Sequence, residues 1–300
     1  MKGGCVVFVL SAVLFLMCGT VSAASGEEIP SYKVGDIEVY LLSEGDSEGN
    51  SSLFVGADEE MLEKYVPDGK YSTAINVFLV RTPEKTFLVD TGFGKNLFGK
   101  MKALGVEPEG IDAVLLTHMH GDHIGGLMRE KKRAFPKARI YLARQERDYW
   151  TDEEAMKKLP EGRQGGFRNA QETLGAYGED VETFDPGILG EKGEHLFPGV
   201  AALAAFGHTP GHTLFLLESG DSSLLIWGDL THAMAIQMPV PDVAMVYDVD
   251  PAMAVASRKA VLKYVDEKGI PVAGMHIPSP VFGSVTSSGK GGYSFAPVSE

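Results

Sequence analysis

The sequence predicts an α+β fold in which two packed β-sheets are covered by outer helices. Short runs rich in β-branched and aromatic residues outnumber the segments with helical periodicity, and a helix does not follow every strand. Both observations argue against a doubly wound parallel sheet. With 300 residues, 44% of them hydrophobic and 23% charged, the chain can bury a large core, which excludes a disordered or collagen-like structure.

The individual elements follow from local patterns that end, in most cases, at Gly, Asp or Pro. The predicted strands are Ile37–Leu42, Ile75–Val80, Thr86–Val89, Ala113–Leu116, Ile140–Ala143, Val200–Ala205, Thr213–Leu217, Leu224–Trp227, Val272–Met275 and Tyr293–Ala296. The predicted helices are Gln145–Lys158, Phe167–Ala176 and Ala252–Glu267. The polar segment Ser43–Lys70 follows neither pattern and is a candidate loop over the functional site.

Residues 1–23 have the organisation of a secretory signal peptide. Lys2 precedes the apolar run 6–17, and Val21-Ser22-Ala23 is a small-x-small cleavage pattern. The apolar run is shorter than the roughly 20 residues that a bilayer span requires, so no stable membrane anchor is expected. We therefore predict an exported protein, periplasmic or secreted, with one mature domain covering residues 24–300.

Cysteine content and net charge restrict the chemistry further. Cys5 and Cys18 both lie inside the predicted leader, so a metal ion in the mature chain must be held by His and carboxylate side chains. The chain has 27 Lys+Arg against 41 Asp+Glu, a net charge of −14. Such a surface repels phosphate backbones, and a nucleic-acid partner is therefore not expected.

The segment Leu115–Gly126 changes from an apolar strand to a cluster of metal-binding side chains: His118, His120, Asp122 and His123. Residues 118 and 120 alternate at a strand end and can point the same way, while a turn at Gly121 can bring the next two to a second point. Three of the eight histidines of the chain fall in this hexapeptide, which favours metal binding over a polar surface turn. The segment can therefore hold two adjacent metal ions.

This HxHxDH pattern resembles the metallo-β-lactamase superfamily. The resemblance implies a four-layer αββα sandwich and three further ligands, in the order His, bridging Asp, His. The motif Gly207-His208-Thr209-Pro210-Gly211-His212 supplies His208, and predicted strands end before Asp229 and His276. By this resemblance one ion is held by His118, His120 and His208, the other by Asp122, His123 and His276, and Asp229 bridges both.

The implied cofactors are two divalent metal ions, with zinc favoured, although His and Asp ligands also suit Mn, Co and Fe. His212 is interpreted as a residue that supports a ligand or as an ordinary strand-start histidine. Asp90, in Leu88-Val89-Asp90-Thr91-Gly92, either orients the metal loop, as in a superfamily motif, or forms an Asx-type turn. His195 is far from every motif and is expected at the surface.

Within the superfamily, the chain resembles methyl parathion hydrolases and the related acyl-homoserine lactonases. The likeness rests on Trp227–His232, on the stretch from Met275 to Val298, and on ligand separations of 21 residues (229 − 208) and 47 residues (276 − 229). It implies a small-molecule substrate and leaves a homodimer open. The aromatic pocket of methyl parathion hydrolases maps onto Phe98, Trp150 and Phe167 as substrate-binding residues; the alternative is that these rings are ordinary core residues.

The resemblance further implies a binuclear hydrolase in which a metal-bridging hydroxide attacks a lactone, an ester or a phosphotriester. Asp122 and Asp229 hold charge near the nucleophile, and His232 is a candidate hydrogen-bond donor to the oxyanion or the leaving group. Lactonases use a tyrosine for that role, so His232 is alternatively a residue that only supports the metal ligands. We favour a lactone or an ester as the substrate.

Two other functions compete with this interpretation. A β-lactamase shares the fold, but the segment His276-Ile277-Pro278-Ser279-Pro280 resembles the lactonase and organophosphate branch. A non-catalytic periplasmic metal-binding protein could keep the ligands without turnover, but an intact ligand set with an open position argues against it.

Overall fold

The computed structural model describes Met1, residues 29–191 and residues 193–298. The predicted signal peptide, apart from Met1, lies outside the described residues. Within those residues, none of the helices is both long enough and apolar enough to cross a bilayer.

The strands are short and numerous. In chain order they are β1 (Ser31–Val34), β2 (Ile37–Leu41), β3 (Gly45–Asn50), β4 (Phe54–Val55), β5 (Lys70–Ile75), β6 (Phe78–Arg81), β7 (Thr86–Val89), β8 (Ala113–Leu115), β9 (Met128–Arg129), β10 (Lys132–Arg133), β11 (Arg139–Ala143), β12 (Val181–Phe184), β13 (Glu194–Phe197), β14 (Val200–Ala204), β15 (Thr213–Ser219), β16 (Ser222–Ile226), β17 (Ala244–Met245), β18 (Val272–Ala273), β19 (Gly283–Ser287) and β20 (Tyr293–Pro297). The α-helices are α1 (Glu59–Tyr65), α2 (Leu97–Ala103), α3 (Gly121–Ile124), α4 (Arg144–Thr151), α5 (Glu153–Lys157), α6 (Gly165–Tyr177), α7 (Met234–Gln237) and α8 (Pro251–Lys268).

Two seven-stranded sheets pack face to face, which confirms the predicted four-layer αββα sandwich. The first has the order β1-β2-β6-β7-β8-β11-β12, and the second has the order β13-β14-β15-β16-β18-β19-β20. Residues of α2, α4 and α6 pack on the outer face of the first sheet, whereas α8 packs against the second. Each sheet is therefore covered on both faces.

Strand β6 shows how the sequence builds this arrangement. Phe78 and Val80 point into the core between the sheets, whereas Leu79 points to the outer core under the helices. Successive side chains of a strand lie on opposite faces, so a strand covered on both sides must be apolar throughout. All three side chains are fully buried.

Strand direction brings the functional segments together. Strand β7 runs parallel to β8, and β16 runs parallel to β18. Strand β14 is antiparallel to β15, which is antiparallel to β16, so β14 and β16 point the same way. The segments that leave the carboxyl ends of these strands therefore emerge at one edge of each sheet, where ligands of α/β sheets characteristically bind.

Three predicted elements differ from the structure by more than one or two residues at their ends. The predicted helix Gln145–Lys158 is two helices, because the side chain of Asp152 accepts hydrogen bonds from the backbone amides of Glu154 and Ala155 and caps α5. The predicted strand Ile75–Val80 is interrupted at Asn76 and Val77, between β5 and β6.

The segment Ser43–Lys70 contains regular structure rather than only a loop. Its strand β3 forms a hairpin with β5, its strand β4 pairs with β17, and α1 packs with them into a third apolar cluster. Strand β3 was hard to predict because none of its residues is buried, so it lacks the apolar alternation of a core strand.

Candidate metal centre

The HxHxDH loop begins where strand β8 ends. After Leu115 the chain runs through His118 and His120 and then turns into the single-turn helix α3, which carries Asp122 and His123. His118 and His123 are buried, and the carboxylate of Asp122 is 26% exposed. The turn therefore separates the four side chains into two pairs, as the sequence predicts.

Three imidazole rings converge on the carboxylate of Asp229. The Nε2 atom of His118 lies 2.9 Å from Nδ1 of His120, which lies 3.0 Å from Nε2 of His208. The Oδ2 atom of Asp229 is 3.5 Å from the His118 nitrogen and 3.2 Å from the His208 nitrogen. One ligand atom from each of these four residues lies within 4.8 Å of the others, so they can surround one ion.

A second group forms around the same carboxylate. The Nε2 atom of His123 is 3.7 Å from Oδ1 of Asp122, and the Nε2 atom of His276 is 3.6 Å from Oδ2 of Asp122. Asp229 approaches this group as well, with Oδ1 at 3.2 Å from His123 and Oδ2 at 3.1 Å from His276. The structure thus brings all seven sequence-predicted ligands together, with Asp229 between the two groups.

Outer partners fix the orientation of four of the imidazoles. In each ring the Nδ1 atom, directed away from the cluster, lies within 3.0 Å of an oxygen: Thr117 Oγ1 for His118, Asp90 Oδ2 for His123, Asp248 Oδ1 for His208 and the Ala74 carbonyl for His276. A proton held on Nδ1 leaves the Nε2 lone pair free, which is the form that binds a metal.

Two buried atoms at the centre have no hydrogen-bond partner among the described residues: Nε2 of His123 and Oδ1 of Asp229. Buried polar atoms are normally paired, so two orphans that face each other mark a place for a further group. Both atoms are good ligands for a divalent cation. The residues present therefore fit a His/Asp metal site.

The electrostatics of the cluster also favour cations. Burial lowers the pKa of His123, but Asp229, Asp122 and Asp90 together raise it well above its ordinary value. Burial likewise lowers the pKa of His208, and hydrogen bonds with Asp229 and Asp248 raise it to about 9. The carboxylates thus draw positive charge onto these two imidazoles, and a metal cation supplies the same charge when it displaces those protons.

The structure decides two interpretations that the sequence left open. His212 points away from the cluster: its Nδ1 lies 2.9 Å from the Ala205 carbonyl, and its Nε2 accepts the backbone N–H of Asp229. Asp90 is fully buried and accepts hydrogen bonds from the backbone and hydroxyl of Thr117, so it orients the metal loop. Its φ of 59° is a strained conformation that Asp tolerates better than most residues. His195 is exposed, as predicted.

His232 lies beside the carboxylate of Asp229. Its Nε2 atom is 2.9 Å from Oδ2 of Asp229, and its buried Nδ1 has no partner among the described residues. The backbone N–H of His232 donates to Gln237 Oε1. This geometry agrees with a residue that supports Asp229, and a role in catalysis stays a prediction.

The three aromatic residues assigned to a substrate pocket pack elsewhere. Trp150 is 5% exposed. Its ring packs edge-on with that of His120 and in a tilted arrangement with that of Phe167. Phe167 is buried, and Phe98 stacks on Phe135. These rings belong to the core under the helices of the first sheet, so the structure gives the substrate-binding assignment no support.

A cavity of about 360 Å³ opens over the cluster. Its lining residues are His120, Gly121, Asp122, His208, Asp229, His232, Tyr247 and His276. Tyr247 is the lining residue that the sequence analysis missed, and its ring packs against that of His232. Because Tyr247 lies in the loop between β17 and α8, no local pattern connects it with the metal-binding segments.

Comparison with known proteins agrees with this geometry. The Metallo-beta-lactamase superfamily matches residues 72–270. The chain belongs to the metallo-β-lactamase superfamily. The matched range contains six of the seven candidate ligands, and His276 lies just beyond it.

Two solved structures resemble this superfamily member over most of its length. One is the hydrolase AbOPH and the other is AidC, a dizinc quorum-quenching lactonase in complex with a product, N-hexanoyl-L-homoserine. Each has a TM-score of 0.80 and 28% sequence identity, and each alignment covers 91% of this chain and 98% of the other.

Matches to curated proteins are shorter. The exodeoxyribonuclease WalJ of Streptococcus pneumoniae is 42% identical over 53 residues, which is 17% of this chain and 20% of that protein. The hydroxyacylglutathione hydrolase of Aeromonas salmonicida is 37% identical over 65 residues, or 22% and 24% of the two chains. The chain thus spans about a quarter or less of these relatives, which have different activities.

Proposed function

We propose that this protein is a binuclear metal-dependent hydrolase that cleaves a small-molecule lactone or ester. The observation that carries the proposal is the position of Asp229 between two groups of ligands. A single tetrahedral ion needs four ligands, whereas eight metal-binding side chains, the seven predicted ligands and His232, converge here. A carboxylate with one group on either side is suited to join two cations.

The two proposed cations would lower the pKa of a water molecule and polarise the substrate carbonyl. Zinc fits the ligand set well. The two carboxylates of the cluster are placed to support that chemistry. Asp122 is the more exposed of the two cluster carboxylates and faces the cavity, so it is placed to orient an attacking water molecule. Asp229 is almost fully buried and keeps its negative charge between the ligand groups.

Two side chains of the cavity can contact the substrate oxygen atoms. His232 stands beside Asp229, and Tyr247 lies next to it with a ring-centroid distance of 4.8 Å. A tyrosine hydroxyl is protonated at neutral pH and can donate a hydrogen bond to a carbonyl or leaving-group oxygen. We therefore assign Tyr247, together with His232, to stabilisation of negative charge that develops on the substrate.

Similarity to AidC, a lactonase with a bound product, supports a lactone as the substrate class. The acidic surface of the chain, with a net charge of −14, is unfavourable for nucleic-acid substrates. The cavity volume of about 360 Å³ is in the range of small-molecule sites. These three observations favour a small lactone or ester over a nucleic acid.

A hydrolysis panel tests the proposal directly. Metal-loaded protein is assayed with acyl lactones, aryl esters, phosphotriesters and a β-lactam, with the metal-free protein and Asp229→Asn as controls. We expect the highest kcat/KM for a lactone or an ester and a loss of about 100-fold or more in Asp229→Asn, whose neutral amide cannot bridge two cations. Preference for the β-lactam, or no turnover of any of these substrates, would reject the proposal.

We also propose that residues 1–23 direct export and are then removed, on the basis of their composition alone. The intact mass of the protein recovered outside the cytoplasm tests this. A mass that begins at residue 24 is expected, and a mass that retains Met1 would contradict it.

A further inference from the structure

Glu146 is a fully buried carboxylate in the first turn of α4. A buried carboxylate is costly unless donors satisfy it. Four neutral donors do so: the backbone N–H of Met119 at 2.9 Å, the indole N–H of Trp150 at 2.6 Å, the hydroxyl of Thr209 at 2.6 Å and the backbone N–H of Gly211 at 2.9 Å. Each carboxylate oxygen accepts two of them.

These donors come from the two segments that carry one group of histidines. Met119 lies between His118 and His120, whereas Thr209 directly follows His208 and Gly211 comes two residues later. Glu146 Oε1 binds the first segment and Oε2 binds the second. One side chain therefore connects the segments that supply His118, His120 and His208.

The close packing at Gly211 strengthens this connection. A Cβ atom at Gly211 would overlap the backbone nitrogen of Glu146. Glycine thus allows the segment after His208 to approach α4 closely enough for its N–H to reach the carboxylate. The contact requires two particular residues, Glu146 and Gly211, which is more specific than general core packing.

The second group of ligands has other supports. His123 is held by Asp90, and His276 is held by the Ala74 carbonyl. The turn around His276 is fixed by Asn76, whose Nδ2 donates to the carbonyls of Gly274 and Ile277. None of these contacts involves Glu146.

We propose that Glu146 is a positioning residue that sets the affinity of the His118/His120/His208 group for its metal ion, and leaves the Asp122/His123/His276 group largely unaffected. The inference rests on the proposed function, because it requires that each group binds an ion. All four partners of Glu146 are donors in this geometry. A Gln side chain has the same size, but its NH₂ group must face one pair of donors, and at least one hydrogen bond is lost.

The test measures binding of Zn²⁺ to the metal-free full-length protein by chelator competition, together with the melting temperature of the metal-free form. In Glu146→Gln we expect one of two binding steps to weaken by about 10- to 100-fold, the usual range for a lost outer partner, and the other to change less than about threefold. Thr151→Val is the matched control, because Thr151 ends the same helix and its hydroxyl donates only to the carbonyls of Arg147 and Asp148. Its binding steps should remain close to those of the unmodified protein.

Thr209→Val tests the same connection if Glu146→Gln does not fold, because valine has nearly the shape of threonine and lacks the hydroxyl that donates to Oε2. It should weaken the same step in the same direction and by less. The contrary result is two binding steps in the unmodified protein that both variants leave unchanged or weaken equally. That result would overturn the role of Glu146 but not the proposed function. Fewer than two binding steps in the unmodified protein would instead overturn the proposed function.

Discussion

At the scale of single residues, each role in the metal centre follows from which atom faces the cluster. His208 directs Nε2 to the cluster and Nδ1 to Asp248, whereas His212 uses both nitrogens to hold backbone groups of Ala205 and Asp229. The two histidines are only four residues apart in one motif. The sequence favoured His208 through a resemblance, and the hydrogen bonds give the physical reason.

This difference predicts unequal effects of two substitutions. His208→Ala removes an imidazole from the cluster and should lower the affinity for metal by 10-fold or more. His212→Ala should bind metal more tightly than His208→Ala. Its free energy of unfolding should nevertheless fall by about 1–3 kcal/mol, because two buried backbone groups lose a partner.

Elemental analysis after dialysis and chemical denaturation of the metal-free variants measure the two quantities. Equal loss of metal in both variants would contradict the roles assigned here.

At the scale of secondary-structure elements, the turns after the strands place the ligands. Strand β16 ends at Ile226, and Gly228 then adopts a φ of 57° immediately before Asp229. A Cβ atom at Gly228 would overlap Nε2 of His212. The turn therefore combines a left-handed conformation with a close approach, and both require glycine.

Gly220 offers a matched comparison for this turn. Its φ is 60°, but nothing lies within 4 Å of a Cβ atom built there. Gly220→Ala should cost about 1–2 kcal/mol from backbone strain alone. Gly228→Ala should cost more and should also reduce metal affinity, because Asp229 must shift. If thermal and metal-binding measurements give the same result for both variants, the close approach at Gly228 has no functional importance.

A buried guanidinium connects helix α8 to the chain that follows Asp229. Arg258 donates to the carbonyls of Leu230, Pro241 and Val243. Arg258→Ala leaves three buried acceptors without this partner and should lower the free energy of unfolding by about 3 kcal/mol or more.

The next residue provides the control. Lys259 forms an exposed ion pair with Asp242, and Lys259→Ala should change stability by less than about 1 kcal/mol. Urea denaturation of both variants checks the contrast, and similar losses would show that the buried hydrogen bonds of Arg258 contribute little.

Strand-end ligands could be predicted because apolar runs that stop at Gly or Asp are local signals. The residues that surround the ligands could not be predicted, since their positions depend on long-range packing. Glu146 lies in a predicted helix, and only its position four residues before Trp150 hints that it shares a buried face. Asp248 and Tyr247 come from a loop with no periodic pattern. Helix α4 ends early because Asp152 captures the amides of the next turn, which competes with the apolar periodicity.

At the scale of the whole molecule, two sheets of the same size place their functional strand ends around one cavity. The first sheet supplies Asp90 and the HxHxDH loop, and the second supplies His208, Asp229 and His276. The core between the sheets fixes the distance between the two sets. The sequence predicted this sandwich and the seven residues that converge as candidate ligands, but the aromatic residues carried over from a related family lie in the core instead.

The central claim is that both groups of ligands bind a metal ion. Elemental analysis of purified, fully active protein tests it most directly, combined with stepwise removal of metal and measurement of hydrolysis at each step. We predict about two divalent ions per chain and a loss of activity that follows the loss of metal. A stoichiometry fixed at one ion in fully active protein would contradict the binuclear account.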